Sequence, residues 1–208
     1  MKGMLITFEG VEGCGKSTQI DRLARHIEAG GRAVLVTREP GGTPIAEAIR
    51  NLLLDPANAA LCPVAELLLY AAARAQHVDE RIRPAIAAGK TVLSDRFADS
   101  TRAYQGAGRG LDADLIAALY RIATRGIEPA LTIVIDVPAE EGLRRAAHGR
   151  DRDRIEREAM AFHERVREGF LRIAEEEPGR VRVVNGLQSI EAVAAEVRAL
   201  VDALLEET

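Results

Sequence analysis

A short segment near the N-terminus has the residue types and spacing of a phosphate-binding loop. Residues 10–17 match G-x-x-x-x-G-K-[ST] at every fixed position, after a strand-like segment and before a helical one. Glycines let successive backbone N–H groups converge on phosphate oxygens at the positive end of a helix. Lys16 adds a charge near the β- and γ-phosphates, and Ser17 offers a hydroxyl to Mg²⁺. The residues expected around the nucleotide phosphates are Gly10, Val11, Glu12, Gly13, Cys14, Gly15, Lys16, Ser17 and Thr18.

Two arginines and a carboxylate stand at further positions suited to phosphate chemistry. Arg38 precedes the turn 40–42, which would aim its guanidinium group onto a phosphate dianion. The alternative is a surface turn with a solvated arginine. Asp95 can hold Mg²⁺ or its water shell, and Arg96 would neutralise a phosphate passing between two substrates. The alternative for this pair is an ion pair that caps the next helix.

A third group of side chains could recognise a base and a sugar. Thr101 and Gln105 share a helix face with Tyr104 beside them, which presents a hydroxyl, an amide and a phenol. Tyr70 and Arg74 lie four residues apart on another helix, where they could stack on a base and donate to its carbonyl. Core packing of the tyrosines with a solvated Arg74 is the alternative. Only 3% of the chain is aromatic, so each tyrosine is informative.

Short apolar segments alternate with amphipathic ones, which predicts a three-layer α/β domain with a parallel sheet. The predicted strands are 4–8, 33–37, 91–94, 131–135 and 181–184. The predicted helices are 16–28, 45–54, 64–88, 100–104, 112–124, 144–177 and 190–205. Ligands of open α/β sheets bind beyond the carboxyl ends of the strands, so the groups above should meet at one edge. Without a repeat or linker, residues 1–208 are expected to form one domain.

Composition narrows the class of protein. With 47% hydrophobic and 29% charged residues, the chain of 208 residues can fill a core, which excludes a disordered protein. The net charge of −4 argues against non-specific nucleic-acid binding, so no nucleic-acid partner is expected. Cys14 and Cys62 are too few for a disulfide framework. No leader and no apolar run of about 18 residues is seen, so we expect no membrane partner and a cytoplasmic location.

Together these residues resemble thymidylate kinases of the bacterial type. The resemblance rests on residues 8–18, 38–43, 67–77, 93–105 and 153–156. The segment 93–105 is the most specific part, and the order of elements agrees over essentially the whole chain. The resemblance implies a P-loop NTPase fold, a three-layer sandwich with a five-stranded parallel sheet flanked by helices. It also implies a homodimer that uses Mg²⁺ and transfers the γ-phosphate of ATP to dTMP, giving dTDP and ADP for dTTP biosynthesis.

The same resemblance implies roles on the acceptor side of the site. Tyr70 would stack on thymine and Arg74 would donate to its O4 atom, while Thr101 and Gln105 would address the base edge. Tyr104 would sit where a ribose 2′-hydroxyl would clash. The residues implied to bind dTMP are Glu12, Arg38, Pro40, Tyr70, Arg74, Arg96, Ser100, Thr101, Tyr104 and Gln105.

Charge around the reacting phosphates is implied to come from several segments. Arg38 and Arg96 would clamp the acceptor phosphate, and Glu12 would lie by the sugar 3′-hydroxyl and the reacting phosphates. The implied metal ligands are Ser17 and Asp95. The implied catalytic residues are Lys16, Arg96, Glu12, Arg38, Arg150 and Arg154.

An arginine-rich segment resembles the lid of one subtype of these kinases. Some relatives carry an arginine within the P-loop, where this chain has Gly13 and Cys14. A mobile lid over about 144–156 would supply the missing charge, with Arg150 and Arg154 favoured over Arg152. Such a lid excludes water and stabilises the spreading phosphoryl charge. The alternative is a solvated helix face of alternating charge.

Two other functions share the phosphate-binding loop. Another P-loop nucleoside or nucleotide kinase would have a different acceptor and would not need the tyrosines and Arg74. A nucleotide-dependent switch or partitioning ATPase would need segments that sense hydrolysis and would have no second nucleotide pocket. The base-reading motif N-K-x-D of GTPases is absent from the sequence.

Overall fold

The computed structural model describes residues 3–147 and 151–206, which are built around one five-stranded sheet. Its strands are β1 Met4–Glu9, β2 Val34–Arg38, β3 Thr91–Asp95, β4 Leu131–Asp136 and β5 Val181–Asn185. Their order in the sheet is β2-β3-β1-β4-β5, and every pair is parallel. The predicted strands are confirmed to within one residue at each end.

The register of the sheet brings the carboxyl ends of three strands level. Phe8 of β1 and Arg38 of β2 are both paired with Asp95 of β3. The loops that leave β1, β2 and β3 therefore start side by side at one edge. This is the edge at which ligands of open α/β sheets bind.

Helices connect the strands. They are α1 Lys16–Ala29, α2 Pro44–Leu54, α3 Pro63–His77, α4 Arg83–Ala87, α5 Ala98–Thr101, α6 Ala113–Thr124, α7 Ala139–Ala146, α8 Met160–Glu176 and α9 Ile190–Glu206. A π-helical segment, Val78–Ile82, joins α3 to α4, so the predicted helix 64–88 is one helical rod with a wider turn. A second π-helical segment, Arg102–Gly108, continues α5.

The predicted helix over 144–177 is wrong in its first part. Helix α7 ends at Ala146 and α8 begins at Met160, and the described residues between them form turns. The Asp153 carboxylate accepts the backbone N–H groups of Ile155 and Glu156, both at 2.9 Å. This local bonding competes with a helix, as is typical of aspartate.

Apolar side chains cover both faces of the sheet. Ile6 and Phe8 of β1 lie in one core cluster with Phe170, while Leu5 lies in a second cluster with Phe97. This alternation is what a strand buried on both faces requires, and it confirms the predicted three-layer architecture. None of the helices in the described part of the chain is long and apolar enough to span a membrane.

Candidate active site

A cavity of about 310 Å³ opens at the carboxyl edge of the sheet. It is lined by residues from the loop after β1, the turn after β2, helix α3 and the segment after β3. The sequence-predicted residues in its lining are Glu12, Gly13, Lys16, Ser17, Arg38, Pro40, Tyr70, Asp95, Arg96, Ser100, Thr101, Tyr104 and Gln105. The fold thus brings the phosphate-binding and acceptor-binding predictions together in one place.

The phosphate-binding loop has the backbone shape that its glycines predict. Gly13 has a φ of +67°, and a Cβ atom there would lie 2.1 Å from the carbonyl oxygen of Gly142 in α7. Gly15 has a φ of +102° and leads into α1. The Lys16 ammonium group is buried and donates to the carbonyl of Val11 at 3.1 Å, inside the curl of the loop. The loop therefore curls around the positive charge of Lys16.

Two oxygen ligands face each other at the entrance to α1. The Ser17 hydroxyl donates to Asp95 Oδ2 at 3.0 Å. Both groups line the cavity, and both belong to residue types that bind Mg²⁺ through oxygen. Among the described residues, no cluster of three or more His, Cys, Asp or Glu side chains offers a closed metal site. An open site with phosphate and water ligands is the arrangement that magnesium prefers.

Arg96 occupies the centre of the cavity wall. Its backbone has a φ of +70°, a conformation that costs free energy in a non-glycine residue and is often found at functional sites. Its guanidinium group donates to Gly10 O at 2.9 Å, to Ser100 Oγ at 3.1 Å and to the Tyr104 hydroxyl at 2.9 Å. It lies 4.9 Å from the centroid of the Tyr104 ring. The predicted phosphate-binding arginine is thus held on several sides.

Glu12 links the phosphate-binding loop to this arginine. Its Oε1 atom accepts from Arg96 at 3.3 Å and from the Tyr104 hydroxyl. Burial alone would raise the pKa of Glu12, but His163, Arg96, Tyr104 and Lys16 together lower it to about 2. Glu12 is therefore a carboxylate at neutral pH.

The buried carboxylate of Glu9 was not predicted from the sequence. It accepts from the backbone N–H groups of Phe97 at 2.8 Å and Ser100 at 3.2 Å, and from the Ser100 hydroxyl at 2.6 Å. Burial raises the pKa of Glu9 to about 7 against the opposing charge of Arg96. Three bonds from one segment hold the turn in which Arg96 adopts its left-handed backbone. Glu9 directly precedes the phosphate-binding loop, which was the available signal.

The turn after β2 brings further charge to the rim of the cavity. Arg38 is exposed and pairs with Glu47 at 2.9 Å, and Glu47 also accepts the Gly42 N–H at 2.9 Å. Arg50 of α2, which the sequence reasoning missed, donates to Pro40 O at 2.9 Å and lines the cavity. Burial and the charge of Arg38 lower the pKa of Arg50. The rim therefore carries two arginines rather than the one predicted.

Arg74 differs from the other acceptor-side residues because it is buried and does not line the cavity. Its guanidinium donates to Glu39 at 2.7 Å, to Thr101 Oγ1 at 3.0 Å and to Phe97 O at 3.1 Å. Glu39 also accepts from His77 Nδ1 at 3.0 Å. The alternative of a solvated Arg74 is wrong, and the geometry gives it a supporting role behind Thr101.

The remaining acceptor-side groups line the cavity as expected. Tyr70 of α3 and Tyr104 of the π-helical segment both do so. Thr101 is held by Arg74, and the Gln105 amide donates to the buried Glu66 at 2.9 Å. Thr101 and Gln105 are fixed by bonds to buried groups behind them, so this part of the wall is preorganised.

The arginine-rich segment is only partly where it was expected. Arg150 lies outside the described residues. Arg154 is buried, donates to Leu53 O at 2.6 Å and pairs with Glu66 at 2.7 Å. It does not line the cavity, whereas Asp153, Ile155 and Glu156 do. In this conformation Arg154 attaches the segment to α2 and α3, and its contact with ATP stays a prediction.

Comparison with known proteins agrees with this site. The family model described as thymidylate kinase matches residues 8–197. The chain belongs to the thymidylate kinase family. A thymidylate kinase of Geotalea uraniireducens is 53% identical over 99% of both chains, and one of Geobacter sulfurreducens is 56% identical over 94% of both. The crystal structure of thymidylate kinase from Ehrlichia chaffeensis superposes with a TM-score of 0.79 at 36% identity, covering 97% of this chain and 99% of that one.

Family membership establishes the reaction of this enzyme. It is a kinase that transfers a phosphoryl group from ATP to dTMP, giving dTDP and ADP. The sequence-based prediction of family, fold class and activity is confirmed.

Proposed function

We propose that ATP and dTMP lie end to end in the cavity described above, at the carboxyl edge of the sheet, with their reacting phosphates between Lys16 and Arg96. The observation that carries this proposal is that residues of the phosphate-binding loop and of the predicted acceptor site line one cavity. Lys16 and Ser17 of the phosphate-binding loop line the same cavity as Tyr70, Tyr104 and Gln105. One space thus joins a triphosphate cradle to a polar and aromatic pocket.

The proposed chemistry needs positioning and charge rather than covalent catalysis. An acceptor phosphate already carries an anionic oxygen, so no strong base is required. Lys16 would stabilise the transferred phosphoryl group, and Arg96 and Arg38 would hold the acceptor phosphate. The fixed bonds of Arg96 support this role, since preorganised donors stabilise developing charge without reorganising.

Recognition of dTMP is assigned to the other end of the cavity. Tyr70 would stack on thymine, and Thr101 and Gln105 would bind the base edge. Tyr104 would exclude a ribose 2′-hydroxyl, with Glu12 beside the 3′-hydroxyl. Contact of Arg74 with the thymine O4 atom stays a prediction; its bond to Thr101 supports an indirect contribution. Ser100 and Pro40 would complete the pocket wall.

Magnesium is proposed to accompany ATP. The two facing oxygen groups of Ser17 and Asp95 suit a Mg²⁺ ion that keeps water and phosphate ligands. When bound, the ion would neutralise charge on the β- and γ-phosphates. Ser17 and Asp95 would hold the ion near Lys16.

A lid over about 144–156 is proposed to close on ATP. Asp153, Ile155 and Glu156 already line the cavity, which supports closure from this side. Because Arg154 forms an ion pair with Glu66, we assign the γ-phosphate contact to Arg150. Residues 1–208 would then act as one domain with one moving segment.

A homodimer and a cytoplasmic location are also proposed. Helix α3 packs against α2 and α6, and all three carry exposed apolar side chains. These are Ile45, Leu52, Val64, Leu68, Leu115 and Ile122. A patch of this kind marks a protein contact, and sedimentation equilibrium would measure the mass. Both cysteines are free, which suits a reducing compartment.

An ADP-release assay with ATP, Mg²⁺ and a panel of nucleoside monophosphates tests the proposal. We expect dTMP to be the best acceptor, with dUMP weaker and with UMP and AMP near background. Preference for UMP or AMP would contradict the assignment of the acceptor pocket. ATP turnover that dTMP leaves unchanged would favour a switch ATPase instead.

A further inference from the structure

A buried histidine behind the active-site wall has no hydrogen bond. His163 of α8 is fully buried, and neither its Nδ1 nor its Nε2 atom has a partner. The Oε2 atom of Glu12 is also buried and unpartnered. These two groups face each other, with Nδ1 lying 3.6 Å from Oε2.

Unpartnered polar atoms in a protein interior are uncommon because each has lost its hydrogen bonds to water. Here a donor and an acceptor lie next to each other, a little beyond the distance of a charge-assisted hydrogen bond, which is about 2.7–2.9 Å. A shift of under about 1 Å would satisfy both. The His163 ring packs edge-on against Phe162 at 5.3 Å. A proton on Nδ1, the nitrogen that lies 3.6 Å from Glu12 Oε2, would let the ring donate to that oxygen.

The two oxygens of Glu12 have different surroundings. Oε1 accepts from Arg96 and from the Tyr104 hydroxyl, which both line the cavity. Oε2 points away from those groups to His163. The carboxylate is thus contacted from the cavity side through one oxygen and from the α8 side through the other.

We propose that His163 is a positioning residue for dTMP binding, whose Nδ1–H donates to Glu12 Oε2 and holds the carboxylate toward Arg96 and Tyr104. The inference rests on the proposed place of Glu12 beside the sugar of dTMP. It adds a residue of α8, outside the cavity lining, to the determinants of acceptor affinity.

A double-mutant cycle tests the proposal. His163→Phe keeps a ring of similar size without a donor, and we expect it to raise the KM for dTMP about tenfold or more, as loss of a charge-assisted hydrogen bond would. The KM for ATP should stay within about twofold. His163→Asn, which restores an N–H donor, should recover most of the affinity. In a Glu12→Ala background, His163→Phe should add nothing. His26→Asn, at a half-buried histidine paired with Asp202, is the matched control and should have the KM values of the wild type.

Three kinetic results would overturn the proposal. His163→Phe could keep the wild-type KM for dTMP, or it could raise the KM values for dTMP and ATP equally. It could also raise the KM for dTMP by the same factor in the Glu12→Ala background as in the wild type. A KM for dTMP as high in His163→Asn as in His163→Phe would also overturn the donor role.

A spectroscopic test does not depend on variants that fold. Nitrogen NMR of ¹⁵N-histidine-labelled wild-type protein with dTMP should show a proton on His163 Nδ1. Protonation on Nε2 alone would overturn the proposal. If Glu12→Ala leaves the KM for dTMP unchanged, the proposed place of Glu12 fails, while the NMR tautomer still tests the His163 bond.

Discussion

The hydroxyl of Ser17, in the first turn of α1, donates to the carboxylate of Asp95, the last residue of β3, at 3.0 Å. The two residues are 78 positions apart in the chain, and the parallel pairing of β1 with β3 brings them together. This contact joins the phosphate-binding loop to the segment that carries Arg96. It therefore connects the donor half of the cavity to the acceptor half.

The Asp95→Asn variant should weaken the response to magnesium. Removing the carboxylate charge while keeping its size should raise the Mg²⁺ concentration for half-maximal velocity by about 10–100-fold. A titration of rate against Mg²⁺ at saturating ATP and dTMP measures this. Asp202→Asn, at a half-buried carboxylate paired with His26, is the control. Equal Mg²⁺ responses in both variants would remove Asp95 from the metal site.

Lys16→Ala and Arg96→Ala should each lower kcat by about 10²–10³-fold, since each removes a preorganised charge at the transferred phosphate. Steady-state kinetics at saturating substrates measures kcat, and circular dichroism checks that each variant is folded. A loss seen only in KM would show that the residue binds substrate without stabilising the transition state.

Tyr70→Ala should raise the KM for dTMP about tenfold, because stacking of a base on an aromatic ring contributes about 1–3 kcal/mol. Tyr70→Phe keeps the ring and should stay close to the wild type. The comparison separates stacking from the hydroxyl group. If the phenylalanine variant loses as much as the alanine variant, stacking is not the role of Tyr70.

Arg74→Ala should destabilise the fold as well as dTMP binding. Both Arg74 and Glu39 are buried, so removing the arginine takes the ion-pair partner from an interior carboxylate that keeps its contact with His77. Breaking a buried pair of this kind costs about 3–5 kcal/mol. Urea unfolding measures the change in the free energy of unfolding. Arg38→Ala, which breaks the exposed pair with Glu47, should cost less than about 1 kcal/mol; equal costs would contradict the structural role of Arg74.

Glu9 should make the stability of the protein fall as pH rises from 4.5 to about 7. In the unfolded chain the carboxyl ionises near its ordinary pKa of 4.5, whereas burial raises the pKa in the folded state to about 7. The unfolded state binds fewer protons across this window, so the free energy of unfolding decreases with pH. The charge of Arg96 opposes this rise in the pKa of Glu9, and the charge of Asp99 adds to it. Relative to Glu9→Gln, the free energy of unfolding of the wild type should fall by about 3 kcal/mol between these pH values. A pH-independent difference between the two proteins would contradict the raised pKa.

Most of the fold follows from local patterns in the sequence. The five strands are short apolar runs with glycine, proline or aspartate at their ends, so their bounds are predicted closely. The segment after β4 is not predictable in this way. There, Asp153 bonds to the backbone and Arg154 pairs with a helix about 90 positions away, and both effects override helical periodicity.

The residues of the site that belong to a sequence motif were predictable. The residues whose role depends on their burial in the folded protein were harder to predict. The glycine spacing and the pair Asp95–Arg96 point to phosphate from sequence alone. The supporting carboxylates do not, because Glu9, Glu39 and Glu66 read as ordinary charged residues until the fold buries them. The position of Arg74 depends on Glu39 in the same way.

A crystal structure with dTMP and a non-hydrolysable ATP analogue tests most directly whether the two nucleotides share this cavity. We expect the thymine ring against Tyr70, the dTMP phosphate between Arg38 and Arg96, and the γ-phosphate beside Lys16. Finding dTMP away from Tyr70 and Tyr104, or the two nucleotides in separate cavities, would contradict this expectation.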